Sequence, residues 1–237
     1  MRLLLINENT PKKIEYELEK EGFRTLRMKS SSELTPPLSS HPDMLVFYSG
    51  DTLFTAASYC DDALYVFSDV REYFPDKKIV FTSDSFGKEY PLDAIFNVKV
   101  IGGLAFTKED TSSKSVVEFL RKSGKTILPV KQGYPACTVL SFGNSAITSD
   151  LGMARAMTRA NIDVTLISDG DITLPPYKNG FIGGASFVDF STVYFFGDID
   201  THRDAEIIKA AITKAGFKYK SLSDTSLSDL GGAILIC

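Results

Sequence analysis

Apolar positions along this chain fall into two alternating rhythms: short unbroken runs of the kind that fill buried strands, and spaced runs that share one helical face. The first cycle shows both. Leu3-Leu4-Leu5-Ile6 reads as a buried strand, Thr10-Pro11 supplies a cap and the residue favoured at the first helical position, and Ile14 with Leu18 forms one face. Gly22 then stops the helix in the left-handed conformation, which other residues reach only at steric cost, and a second strand begins near Thr25.

The same ending recurs down the chain. Lys20-Glu21-Gly22-Phe23, Lys122-Ser123-Gly124-Lys125, Arg159-Ala160-Asn161-Ile162 and Lys214-Ala215-Gly216-Phe217 each place a cation near the helix C-terminus, where it complements the dipole, and Gly or Asn at the turn. Matching apolar faces precede the last three, for example Val116, Val117 and Leu120. Short strands follow each stop. Four strand-helix-strand units are therefore predicted, and residues 22–124 have room for a fifth, degenerate one, with strands at 44–48 and 79–82 and a helix over 64–74. Five repeats of this kind point to a ring or an array rather than a doubly wound sheet.

Residues 131–198 carry one unit twice with its punctuation intact. Gly133-Tyr134-Pro135-Ala136-Cys137 opens the first copy and Gly180-Phe181-Ile182-Gly183-Gly184-Ala185-Ser186 the second, and each leads through two apolar runs to an Asp that starts a helix, Asp150 or Asp198. The chain ends on Asp229-Leu230-Gly231-Gly232-Ala233-Ile234-Leu235-Ile236, which matches the opening strand of such a unit but lacks the rest; the N-terminus supplies the missing strand and helix. One unit is thus split across the termini. The last strand is expected to pair beside the first, closing a propeller-like ring and removing open edges.

Composition narrows the function classes. With 237 residues, 43% hydrophobic and 24% charged, the chain is an ordinary globular protein, and a net charge of −4 leaves no basic footprint for nucleic acid. No apolar run reaches the length of a membrane span, and the N-terminal apolar stretch is too short for a signal segment, so a cytoplasmic protein is expected. Cys60, Cys137 and Cys237 fit reduced thiols. Two histidines, His41 and His202, and no His/Cys cluster argue against a metal site. The glycine pairs Gly183-Gly184 and Gly231-Gly232 lack the pattern and the following helix of a phosphate loop; close strand packing explains them better, and no cofactor is expected.

The five-unit pattern, with Gly180-Phe181-Ile182-Gly183-Gly184-Ala185-Ser186, Phe196-Gly197-Asp198, and Ser223-Asp224 ahead of Asp229-Leu230-Gly231-Gly232, resembles an uncharacterised bacterial family of the pentein fold. The likeness is strongest from about residue 101 onward. That fold is the five-bladed β/α propeller of amidinotransferases, arginine and agmatine deiminases and dimethylarginine hydrolases. The resemblance implies one α/β domain over residues 1–237 and a pocket at one mouth of a central channel, lined by the starts of the inner strands.

The pentein enzymes attack a guanidinium carbon with a cysteine thiolate, helped by a histidine and by carboxylates that hold the cation. Gly133-Tyr134-Pro135-Ala136-Cys137-Thr138 is similar to their Gly-x-x-x-Cys loop and makes Cys137 the candidate nucleophile. It departs from the family pattern in lying mid-chain, and residues 93–132 before it contain no histidine. Tyr134, Asp150, Asn179, Ser186, Asp198 and Asp229 are the candidate ligand-binding groups. For Asp150 and Asp198 helix capping is the competing role, and for Cys137 a buried hydrophobe. His202 is expected as a solvated helix-start residue beside a Thr201/Asp204 capping pair, His41 as a lead into the next strand, and Cys237 at the far end of the last strand. Two functions remain, with oligomeric state open. Absence of a paired histidine favours a non-catalytic or degenerate binding propeller for a small polar molecule; the alternative is a cysteine-dependent hydrolase or transferase acting on a guanidino or amino-acid-like compound. A histidine or carboxylate within reach of the Cys137 sulfur reverses that order.

Overall fold

A computed structural model describes residues 1–237 and shows a mixed α/β chain of small sheets. It begins with β1 (Arg2–Asn7), α1 (Lys12–Lys20) and β2 (Phe23–Met28). A one-turn helix α2 (Pro42–Leu45) then leads into β3 (Val46–Ser49), β4 (Thr52–Ala56), α3 (Leu64–Tyr73) and β5 (Lys78–Thr82). The third stretch is β6 (Lys99–Ile101), β7 (Leu104–Thr107), α4 (Lys114–Lys122) and β8 (Thr126–Pro129). The fourth opens on another one-turn helix, α5 (Pro135–Thr138), before β9 (Val139–Phe142), β10 (Ser145–Thr148), α6 (Leu151–Arg159) and β11 (Asp163–Leu166). After β12 (Ile172–Thr173) come β13 (Ser186–Asp189), β14 (Thr192–Phe195), α7 (Ala205–Lys214) and β15 (Lys218–Ser221), and the chain ends with β16 (Leu227–Ser228) and β17 (Ile234–Ile236).

These strands form five three-stranded sheets of one design: an inner strand antiparallel to a middle strand, which is parallel to an outer one. Each parallel step needs a crossover, and α1, α3, α4, α6 and α7 supply it. Four of the inner hairpins turn on Gly50, Gly102, Gly143 or Phe190, all with positive φ. The remaining sheet has no such hairpin, because its inner and middle strands come from opposite ends of the sequence. The C-terminal β17 pairs antiparallel with β1, Leu3 opposite Ile236, and β1 pairs parallel with β2.

Residues 46–82 are a complete unit rather than a degenerate one. The strand missing from the sequence reading is β4, whose Thr-Leu-Phe-Thr-Ala pattern is buried on both faces and so shows no alternation. Its Thr55 is accommodated because the hydroxyl donates to the Leu45 carbonyl at 2.9 Å. The stretch around Ser30 to Pro42 is not pure loop either, since it contains a 3-10 turn at Leu38–Ser40 and the start of α2.

The core is divided among the contacts between sheets. A large apolar cluster joins the first three sheets through residues such as Leu5, Met28, Phe54, Phe96 and Leu120. Ile101, Phe106, Val139, Met153 and Met157 join the third to the fourth. Leu140, Ile147, Val193 and Phe195 join the fourth to the fifth. Leu4, Ile6 and Leu18 then pack with Phe187, Tyr194 and Phe196, bringing the fifth against the sheet made by the termini. No helix is long and apolar enough to cross a membrane.

Candidate active site

Each inner strand is preceded by a residue that enters one buried cluster: Asp43, Asn97, Cys137, Gly184 and Gly232 lie ahead of β3, β6, β9, β13 and β17. Hydrogen bonds link them. The Asp43 amide donates to the Gly231 carbonyl (3.2 Å), the Asn97 side chain donates to the Asp43 carbonyl (3.3 Å), and the Ala136 amide donates to Asn97 Oδ1 (2.7 Å). The Gly184 amide donates to the Cys137 carbonyl (3.0 Å), and the Gly232 amide donates to the Gly184 carbonyl (2.8 Å).

Cys137 and Asp43 are held by the same device. Both α2 and α5 are single turns with proline in the first position, where a missing amide proton costs nothing. In each a threonine of the middle strand ties down the turn: Thr55 to the Leu45 carbonyl and Thr148 to the Thr138 carbonyl. The result brings the Cys137 thiol to Asp43, donating to Oδ2 at 2.8 Å, while Asn97 Nδ2 donates to the sulfur at 3.0 Å.

The electrostatics follow from burial. Desolvation, with the Asp43 and Asp229 charges adding, pushes the Cys137 thiol well above its ordinary range. Burial, with Asp229 adding, pushes Asp43 up to about 8. Burial also pushes Asp229 up to about 6, against two amide donors, Phe181 (2.8 Å) and Gly231 (3.0 Å). Desolvation pushes His41 down to about 4, so at neutral pH it is uncharged. Its Nδ1 lies 3.8 Å from Asp229 Oδ1, too far for a hydrogen bond, and has no other partner.

Glycine makes this packing possible. A Cβ on Gly184 would sit 2.0 Å from Asp229 Oδ1, and one on Gly231, whose φ is +75°, would sit 2.4 Å from the His41 Cβ. The pairs Gly183-Gly184 and Gly231-Gly232 thus leave room for a carboxylate and an imidazole as well as for neighbouring strands.

A cavity of about 220 Å³ opens on this cluster, walled by Cys137, Asp229, His41, Tyr134 and Asn179 together with apolar side chains such as Phe181. Four of the groups expected from sequence, Tyr134, Cys137, Asn179 and Asp229, therefore share one wall. The other three lie elsewhere. Ser186 lines a second cavity and donates its hydroxyl to the Ile182 carbonyl. Asp150 caps α6, accepting from the Met153 amide at 2.7 Å, and also accepts from Gln132. Asp198 accepts from the Asp200 amide and the Ser221 hydroxyl.

His202 is not solvated: it is buried, and its Nδ1 accepts from the Asp204 amide. The Thr201/Asp204 capping pair does not form, since Thr201 donates to the Asp198 carbonyl and Asp204 accepts from the Ser168 amide. His41, expected as a mere lead-in, is buried against Asp229. Asp43 and Asn97 went unnoticed in the sequence, and His41 was not given a site role. One signal was available: Pro42-Asp43-Met44-Leu45-Val46 aligns on Pro135-Ala136-Cys137-Thr138-Val139, which places Asp43 one residue ahead of the position equivalent to Cys137.

Solved structures that superpose on this chain include guanidine-modifying enzymes of the pentein fold. Dimethylarginine dimethylaminohydrolase from Pseudomonas aeruginosa, in complex with citrulline, superposes with a TM-score of 0.60 at 8% identity, covering 98% of this chain and 95% of that one. Inosamine-phosphate amidinotransferase from Streptomyces griseus gives 0.57 at 16% identity over 94% and 78%. Agmatine deiminase from C. jejuni gives 0.56 at 11% over 95% and 90%. The chain has the pentein fold. It belongs to a family of unknown function, DUF6873, which it matches over residues 5–234. No curated protein matches it in sequence.

Proposed function

We propose that this protein is a cysteine-dependent enzyme acting on a small guanidino compound, built as a single five-bladed ring over residues 1–237. The observation that carries the reading is the Asp43 carboxylate 2.8 Å from the Cys137 sulfur, which reverses the preference for a non-catalytic propeller. The ring is supported by the hydrogen bonds that pass from sheet to sheet around the cluster and return from Gly184 through Gly231 and Gly232 to Asp43.

In the chemistry this suggests, the guanidinium enters the 220 Å³ cavity and pairs with Asp229, ionised at neutral pH. A cation there counters the burial that holds Cys137 and Asp43 protonated. Asp43 is then a base suited to a thiol, because its raised pKa lies near the thiol's own range. The thiol proton passes to Asp43 and the sulfur attacks the guanidinium carbon. The C–N bond breaks, the amine leaves with the proton from Asp43, and a thiouronium remains on Cys137. Water attacks that carbon, the ionised Asp43 takes its proton, and the C–S bond breaks, the sulfur recovering a proton from the departing protonated urea, to give a urea and restore the thiol. An amine in place of water would make the step an amidino transfer.

Incubation with a panel of guanidino compounds, followed by intact mass and assay for ureido product, tests the reading. A mass increase on Cys137, lost in Cys137→Ser, with turnover rising with pH below about 8, supports it. Binding of guanidino compounds with no adduct or product, and a thiol that alkylates only after unfolding, refutes catalysis and restores the binding propeller.

A further inference from the structure

The proposed chemistry leaves one charged group near the cluster unused. Lys99, at the start of β6, lines a second and larger cavity of about 350 Å³ that shares no lining residue with the first. Most of its lining residues are hydrophobic, including Phe47, Phe96, Val188 and Leu235, while polar groups supply about half of the surface they expose, and its other charged group is Asp43. Lys99 is half-buried, and its amine, which forms no hydrogen bond or ion pair with a protein atom, keeps its donors for whatever enters the cavity. Asp43 does not neutralise it, since no salt bridge joins the two and burial keeps that carboxyl largely protonated at neutral pH. Desolvation pushes Lys99 down to about 8, which still leaves it cationic at pH 7. The cavity thus presents one unpaired positive charge beside a set of apolar side chains.

We propose that this cavity is a second binding site, for a small carboxylate with an apolar body, the carboxylate on Lys99 and the body against Phe47, Phe96, Val188 and Leu235. A volume of 350 Å³ holds a ligand of roughly ten non-hydrogen atoms, taking about 30 Å³ as the volume of one water. The site does not depend on Cys137 being a nucleophile. It is coupled to Cys137 all the same, because the thiol donates to Asp43, the one charged residue that both faces this cavity and touches the sulfur. The Lys99 charge favours the ionised forms of Asp43 and Cys137. A bound carboxylate cancels that field and makes the thiol harder to ionise.

Calorimetric titration of the intact protein at pH 7 with hexanoate, hexanamide and hexylamine tests this, using wild type, Lys99→Met, Lys99→Arg and Cys137→Ser, each checked for fold by circular dichroism. Expected are saturable binding of hexanoate alone, retention in Lys99→Arg and Cys137→Ser, and at least tenfold weakening in Lys99→Met. Saturating hexanoate should also slow alkylation of Cys137 by iodoacetamide in wild type and not in Lys99→Met. Equal binding of hexanoate by folded Lys99→Met, equal binding of hexanamide, preference for hexylamine, or no binding at all overturns the site. Saturation that leaves the alkylation rate unchanged overturns the coupling.

Discussion

Replacing Asp43 with Asn tests the cluster most directly, because the structure fixes the sign of the effect on stability as well as on chemistry. The Asp43 carboxyl is carried by burial from its ordinary 3.8 to about 8. A carboxyl whose pKa is raised on folding stays protonated in the native state after the unfolded chain has lost its proton. The native state then binds more protons than the unfolded one between about pH 4 and pH 8, so stability must fall as pH rises through that window. The full displacement corresponds to on the order of 5 kcal/mol, an upper bound because Asp43 interacts with Asp229 and Lys99. Asparagine has no proton to lose and keeps an oxygen that can accept from the Cys137 thiol. Urea unfolding followed at pH 5, 6, 7 and 8 should therefore show wild type losing a few kcal/mol that Asp43→Asn keeps. The same substitution removes a negative charge beside the sulfur, so the pH midpoint for Cys137 alkylation should move down. Turnover of any guanidino substrate should nonetheless drop by about 10²–10⁴-fold, because the proton acceptor is gone. Parallel stability curves for the two proteins would refute the raised carboxyl and with it the assignment of Asp43 as the base.

Other outcomes follow from particular contacts. Gly184→Ala drives a methyl into the Asp229 carboxylate, at 2.0 Å, and should cost about 1–3 kcal/mol by thermal unfolding while abolishing guanidino binding measured by calorimetry. Phe190 is a 78% exposed aromatic residue held at φ +46° in a hairpin turn, so Phe190→Gly should stabilise the protein by about 0.5–1 kcal/mol in chemical denaturation. Deleting residues 233–237 removes the partner of β1 and uncovers Leu3, Leu4 and Leu5; the truncated chain should lose its cooperative transition or aggregate, as read by circular dichroism and light scattering.

Much of the architecture was legible because its punctuation is local. Gly22, Gly124, Asn161 and Gly216 end helices through their own left-handed backbone, with φ between +60° and +82°, and the cations before them act within a turn. Pairing of β17 with β1 could also be inferred, because half a unit at each end has only one complement. The strand β4 was not legible, since a strand buried on both faces carries no alternation to read. The candidate site divides in the same way. Tyr134, Cys137, Asn179 and Asp229 were marked by repeat position next to inner strands, and the fold gathers them on one cavity wall. Asp150 and Asp198 were marked by the same logic with helix capping as the other role, and they face helix amides, because position in a repeat does not fix the direction of a side chain.

His41 and Asp43 show most clearly what sequence could not supply. His41 sits in a serine- and proline-rich stretch with every local sign of a connecting loop, and Asp43 lies 94 residues from the cysteine whose thiol it accepts. The sequence by itself determined the repeated unit, its helix stops and the split across the termini, since those depend on backbone conformations and hydrophobic faces within a few residues. Only the tertiary structure decided that a carboxylate reaches the Cys137 sulfur and that Lys99 is left without a partner. Those facts rest on long-range packing and on the desolvation it imposes, and burial sets the protonation of every group in the cluster more strongly than any neighbour in the chain.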